Sequence, residues 1–251
     1  MSETAQASRP KSPACTPDFS ALPDRELAAL AETYRELDRL TSHNRIDGYY
    51  PDAGPFRREL YAKHMEFFRL GAQHKERLFM AGNRTGKSVA GAYEITCHLR
   101  GVYPAWWEGR RFTAEPVNAL VAGDTAKTSR DILQHKLLGP VGSFGTGMIP
   151  YDSLERVAPK QGIPDAVETI YVRHVSGALS TCQINSYDQG REAFQGTERH
   201  VIWLDEECPE DVYTESLMRT MTTDGIVLLT FTPIRGITPL VLSFLPDWVP
   251  Q

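Results

Sequence analysis

Leu78-Phe79-Met80-Ala81-Gly82-Asn83-Arg84-Thr85-Gly86-Lys87-Ser88 decides the fold. Apolar residues of a short strand lead into a glycine-containing turn, then Lys-Ser, then the helix-like Val89-Ala90-Gly91-Ala92-Tyr93-Glu94. A strand–turn–helix of this kind aims several backbone N–H groups and a helix N-terminus at one point, which suits a phosphate. Ala81, Gly82, Asn83, Arg84, Thr85, Gly86, Lys87 and Ser88 are therefore the candidate nucleotide-binding residues. Lys87 would reach the β- and γ-phosphates and the Ser88 hydroxyl would ligate Mg²⁺. The customary pattern has a glycine five residues before the second glycine; here that place holds Ala81, with Gly82 one position late.

A second stretch supplies the acids. In His200-Val201-Ile202-Trp203-Leu204-Asp205-Glu206-Glu207 an apolar strand ends in carboxylates. In an open α/β sheet, ligands bind at that C-terminal end of the strands. Beside a phosphate loop, Asp205 would hold Mg²⁺, partly through water. Glu206 would orient and deprotonate the attacking water. Glu207 reads as a third carboxylate of the site or as a solvated neighbour, and an acidic cap on the following helix is the competing reading of the whole run. The next apolar strand, Ile226-Val227-Leu228-Leu229, ends in Thr230-Phe231-Thr232-Pro233. Its hydroxyls are placed to touch the γ-phosphate, although threonine is also simply a good strand former.

The 251 residues suit one α/β domain with an extension, or two small domains. A formal charge of −5 argues against a uniformly basic nucleic-acid coat, but not against a motor that concentrates basic residues in one channel. Cys15, Cys97, Cys182 and Cys208 are far apart and form no Cys-x-x-Cys pair, which points to a reducing compartment. Neither a signal sequence nor an apolar run of about 18 residues is present, so a soluble intracellular protein is expected. Residues 1–19 read as a disordered arm. Leu27, Leu30, Tyr34, Leu37 and Leu40 have helical spacing within 23–45. A linker at 49–55 precedes a second helical stretch at 56–70, and 103–109 breaks the chain after the phosphate-loop helix. A buried strand at 117–123, a helix at 129–138 and a long loop at 139–164 follow. A hairpin is expected from 168–175 and 179–185. Strands interleaved with helices favour a sheet covered on both faces.

Three elements occur in order: the loop 81–88, Trp203-Leu204-Asp205-Glu206-Glu207, and Thr230-Phe231-Thr232-Pro233. Together with Tyr103-Pro104, Trp106-Trp107, Gly123-Asp124-Thr125 and Gln189-Gly190-Arg191, they resemble the ATPase domain of the large terminase subunit of tailed bacteriophages. The resemblance implies a P-loop NTPase of the additional-strand, catalytic-glutamate type. Its mainly parallel central sheet would be flanked by helices and carry an N-terminal helical extension. The implied organisation is an arm and helix at 1–50, the ATPase domain at 51–245, and at 246–251 the start of a linker to a nuclease domain absent from this chain. DNA cleavage is not expected of it.

The activity implied is hydrolysis of ATP with Mg²⁺ to drive double-stranded DNA into a procapsid in the host cytoplasm. Implied partners are the DNA, the portal protein, the small terminase subunit and further copies in a ring; no membrane is involved. The family's loop arginine maps to Arg84 and its acidic pair to Asp205 (metal) and Glu206 (catalytic). Its coupling motif maps to Thr230, Thr232 and Pro233. Arg84 and Arg130 join Glu206 in the implied catalytic set; Arg130, with Arg191 as second candidate, would act across subunits. Adenine would need an apolar clamp from His64, Phe67 or Phe68, with core packing the favoured duty of the two phenylalanines. Lys127, Arg130, His135, Lys136, Arg110, Arg111 and Lys160 are candidates for gripping the DNA backbone. Trp106 and Trp107 read as packing against the phosphate-loop helix rather than as a base-stacking platform. A helicase-like ATPase and a phosphotransferase are the alternatives to a packaging motor.

Overall fold

Parallel strands need crossover helices, and the interleaved pattern of this chain supplies them. The computed structural model describes residues 23–245; the expected arm at 1–19 and linker at 246–251 lie outside the described residues. The chain divides into two units, Met1–Leu40 and Thr41–Gln251. Helix α1 (Asp24–His43) carries the heptad-like apolar set, with Asp24 and Glu26 in its first turn.

The second unit is built on one seven-stranded sheet. In chain order its strands are β1 (Glu76–Met80), β2 (Asn118–Gly123), β3 (Leu154–Pro159), β4 (Val167–Arg173), β5 (Leu179–Ser186), β6 (Val201–Asp205) and β7 (Ile226–Phe231). Their spatial order is β1-β7-β6-β2-β5-β4-β3. The pairs from β1 through β5 are parallel, whereas the β5–β4 and β4–β3 pairs are antiparallel. Strand β7 is thus inserted between the phosphate-loop strand β1 and the acidic strand β6, the additional-strand arrangement.

Alternation along the central strands fills two cores. Val201 and Trp203 of β6, with Ile226 and Leu228 of β7, face one side, where α2 (Ala62–Leu70) and α3 (Lys87–Arg100) pack. Ile202, Leu204, Val227, Leu229 and Phe231 face the other, covered by α6 (Glu210–Thr220) and α7 (Pro239–Ser243). Between β2 and β3 run α4 (Ala126–Thr128), a π-helical turn at Ser129–Gln134 and α5 (His135–Leu138). Tyr93 of α3 stacks on Trp106 at 6.1 Å, so the tryptophan pair does pack on the phosphate-loop helix.

Two expectations are corrected. The stretch 139–164 is not loop throughout, since it contains the edge strand β3, paired to β4 alone. Its residues alternate poorly and end in Pro159, a pattern that an edge strand tolerates and a central strand does not. The helix expected over 56–70 begins as a 3₁₀ turn at Arg58–Tyr61, so α2 starts only at Ala62. The expected hairpin is present as β4–β5.

The root of the phosphate loop is tied by a buried ion pair. Arg77 of β1 meets Glu94 of α3 at 2.6 Å and donates to the Phe67 carbonyl, also at 2.6 Å. Both side chains are almost wholly enclosed, so neither could be left alone cheaply.

Candidate nucleotide site

Strand β1 ends at Met80 and the chain turns through 81–86 into α3. Two residues of the turn are left-handed, Arg84 (φ 62°) and Gly86 (φ 86°). At Gly86 the glycine is required twice over: a side chain would be strained there, and its Cβ would sit 2.9 Å from His64 Cε1. His64 is itself held. Its Nε2–H donates to the Thr85 carbonyl at 3.0 Å, which leaves Nδ1 to accept from the Tyr50 hydroxyl at 2.7 Å. Burial lowers the His64 pKa, in keeping with this neutral tautomer. Gly82, by contrast, has open space where a Cβ would sit, so no close approach requires a glycine there. The Gly82 carbonyl instead accepts from Lys87 Nζ at 2.7 Å and from Thr85 Oγ1 at 2.9 Å.

The acidic strand meets this loop directly. Ser88 Oγ donates to Asp205 Oδ1 at 2.9 Å, and Thr230 Oγ1 donates to the same oxygen at 2.6 Å. Trp203 Nε1–H donates to Thr230 Oγ1 at 2.7 Å, which commits the threonine's own proton to Asp205. The indole fits because position 91 is glycine: a Cβ there would lie 2.3 Å from the Trp203 ring. Asp205 is only 3 % exposed, and burial, against the pull of the two hydroxyls, lifts its pKa to about 6. With both hydroxyls on Oδ1, Oδ2 is the oxygen open to a hard cation. The donor set therefore fits Mg²⁺: one hydroxyl and one carboxylate, both hard oxygen ligands.

Glu206 stands in the opposite situation, exposed at the mouth of the site and left-handed, with φ 66°. A non-glycine residue held there is strained, and such strain gathers at functional positions. Partial burial raises its pKa, although Lys87 pulls the other way. The coupling segment also reaches the loop: Thr232 Oγ1 accepts from Lys87 Nζ and donates to Asn83 Oδ1, both at 2.9 Å. Glu207 is not merely solvated, since it accepts from Thr238 Oγ1, the N-cap of α7. A cavity of about 350 Å³ opens here, lined by Asn83, Asp124, Asp205, Glu206, Thr232 and Arg235 among others. A second, of about 240 Å³, lies on the other side of the loop among Tyr49, Phe56, Tyr61, His64 and Arg84.

A family model described as terminase large subunit, T4likevirus-type, N-terminal, matches residues 78–251. The chain belongs to the terminase large-subunit family. It is 33% identical over 246 residues to the large terminase subunit of Salmonella phage P22, covering 90% of this chain and 47% of that protein. The chain thus spans about half the length of the curated relative it matches. Among solved structures it is similar to the large terminase ATPase domain of Thermus phage P74-26, with 18% identity and a TM-score of 0.44. That likeness covers 70% of this chain and 69% of the other. It is also similar to the large terminase of a thermophilic bacteriophage in complex with ADP, at 16% identity and a TM-score of 0.44. There the coverage is 68% of this chain and 37% of the other.

The fold brings Lys87, Ser88, Asp205, Glu206, Thr230 and Thr232 together; other sequence candidates stand elsewhere. Arg130 does not join the cavity, because its guanidinium is held by Asp131 at 2.8 Å and the Pro164 carbonyl at 3.2 Å. Arg191 is paired to the buried Glu215 of α6 at 2.8 Å. Arg84 lines the aromatic cavity rather than the acidic one. Phe67 and Phe68 cannot clamp a base, since α2 turns both into the core, where they are 5% and 1% exposed. Arg110 is engaged by Asp224 at 2.9 Å, which ties two loops together, and Arg111 by the Trp107 carbonyl of its own loop at 2.7 Å. Lys160 donates to Gln189 at 3.2 Å. Lys127 and His135 are exposed on the α4–α5 segment.

Sequence reasoning missed Arg235, the cation in the cavity wall, and Trp203 behind Asp205. The signal for Arg235 was its place two residues after Pro233. Trp203 carried none, since an indole in an apolar strand reads as core.

Proposed function

We propose that this chain is the ATP-hydrolysing part of a DNA-packaging motor. The observation that carries the reading is the 2.9 Å contact between Ser88 and Asp205, which closes a phosphate loop onto an acidic strand end beside Glu206. The backbone N–H groups of 83–88 and the Lys87 ammonium would bind the phosphates of ATP. Mg²⁺, held by Ser88 and Asp205, would offset negative charge on those phosphates. Glu206 would accept the proton of the attacking water, and its raised pKa brings it closer to the pH at which a general base works well. Arg235 lines the same cavity and would stabilise the charge that develops as the phosphate leaves. The aromatic cavity at Tyr49, Phe56 and Tyr61 would take the base.

Thr232 hydrogen-bonds both Lys87 and Asn83, so a γ-phosphate arriving at Lys87 would compete for that contact. Release or recapture of Thr232 is the step by which Thr230, Thr232 and Pro233 would transmit hydrolysis to the following segment. Double-stranded DNA, the portal protein, the small terminase subunit and neighbouring copies in a ring are the proposed partners, in the host cytoplasm. Arg130, with Arg191 as the second candidate, would serve in a neighbouring copy's site after exchanging its present partner, Asp131 for Arg130 and Glu215 for Arg191.

Single-turnover hydrolysis, with protein in excess over ATP, tests the reading with and without duplex DNA. Glu206→Gln is expected to bind ATP as before and to release phosphate at least about 100-fold more slowly. Undiminished release in the variant, or transfer of phosphate to a nucleoside acceptor with none to water, would overturn it.

A further inference from the structure

After β5 the chain enters a 3₁₀ turn at Tyr187–Gln189, opened by Ser186 and Gln189 in a reciprocal cap. The turn drives the Tyr187 ring beneath the ends of β2 and β6, where it stacks with Phe194 at 6.4 Å and is 7% exposed. Its hydroxyl lies 2.9 Å from the Asp205 carbonyl and 3.3 Å from the carbonyls of both Glu206 and Ala122. Three acceptors thus converge on one donor. Burial raises the phenol's pKa well above its ordinary value, so the proton stays in place.

We infer that Tyr187 is a positioning residue for Glu206, its hydroxyl pinning the carbonyls on either side of the strained Glu206 backbone so that the carboxylate faces the cavity. The inference rests on the ATPase reading for the role of Glu206. The backbone at Glu206 is held on one side by its own N–H, which donates to the Thr230 carbonyl at 2.9 Å. The other side depends on Tyr187. Without that hydroxyl, the carbonyls of Asp205, Glu206 and Ala122 would lose the one donor they share in an enclosed spot, a costly loss. The inexpensive escape is rotation of the Asp205–Glu206 and Glu206–Glu207 peptides, which relaxes the left-handed φ of 66° and swings the Glu206 side chain away.

Tyr187→Phe removes the donor and keeps the ring. The expected result is single-turnover hydrolysis slowed about 10- to 100-fold, the scale of a misplacement near 1 Å, with the dissociation constant for ATP changed less than about threefold. Combined with Glu206→Gln, Tyr187→Phe should slow hydrolysis no further, because both changes disable one group. The 4-aminophenylalanine variant at position 187, which restores an N–H donor, should recover the parent rate; it also serves if Tyr187→Phe does not fold. Hydrogen exchange supplies a readout independent of turnover: the Glu206 amide should exchange faster in Tyr187→Phe, with the 83–88 amides unchanged. Parent-like hydrolysis in Tyr187→Phe, equal loss of binding and rate, multiplying effects in the double variant, or unchanged exchange at Glu206 would each overturn the assignment. If the parent chain hydrolyses no ATP, the ATPase reading falls while exchange at Glu206 still decides what Tyr187 holds.

Discussion

The loops that leave the neighbouring strands β1 and β7 start level with one another, Met80 opposite Phe231, yet they are built in opposite ways. The phosphate loop is bracketed on every side. Gly86 packs against a hydrogen-bonded His64, Lys87 is 7% exposed, and Arg77–Glu94 locks the strand before it to the helix after it. The segment at 232–238 is tethered by the hydroxyls of Thr232 and Thr238, and it presents Ile234 and Ile237 to solvent at 80% and 73% exposure. Donors that must be fixed before a phosphate arrives are over-determined by buried contacts. The segment that would shift under the proposed coupling is given few of them.

Breaking the bracket should cost most. Glu94→Ala leaves the Arg77 guanidinium buried without its carboxylate and should lower stability by about 3–5 kcal/mol, read from urea unfolding. Asp205 sharpens the contrast with the opposite sign. Its folded pKa of about 6 lies above the ordinary aspartate value of 3.8, so the folded chain binds a proton more readily than the unfolded chain does. Stability attached to this group is therefore lost as pH rises from about 4 through 6. With metal chelated at pH 7.5, Asp205→Asn should raise stability by about 2–3 kcal/mol, and the gain should shrink toward zero near pH 4. A gain that does not vary with pH would show that burial of the charge is not its source.

Smaller effects compare the loops themselves. Gly86→Ala forces a left-handed alanine against His64 and should cost about 1–2 kcal/mol, with nucleotide binding lost alongside. Ile234→Ser on the open segment should change stability by less than about 0.5 kcal/mol. Equal costs at the two positions, measured by thermal unfolding, would erase the distinction.

Much of this was legible because it is local. The strand, turn and helix of 76–100 follow one another directly, and the continuous apolar run 201–204 into Asp205 announces a buried strand with acids at its end. Edge strand β3 was not legible, since one-sided pairing demands little alternation. Phe67 and Phe68 were legible as core, and they are 5% and 1% exposed, but the aromatic cavity at Tyr49, Phe56 and Tyr61 was not, because helical spacing does not say which neighbour a face meets. Arg130 and Arg191 carried the right charge, yet whether a guanidinium reaches a cavity or a nearby carboxylate depends on what the fold puts beside it.

The order of residues alone determined the chemistry available to this chain: a lysine-tipped phosphate turn, a hydroxyl beside it, and two carboxylates closing an apolar strand. Only the tertiary structure decided which of these meet, because β7 had to slip between β1 and β6 to bring Thr230 onto Asp205, and Tyr187 had to arrive from a separate strand to meet the carbonyls around Glu206. Contacts between residues so far apart in the chain arise from packing a whole sheet, which no local pattern encodes.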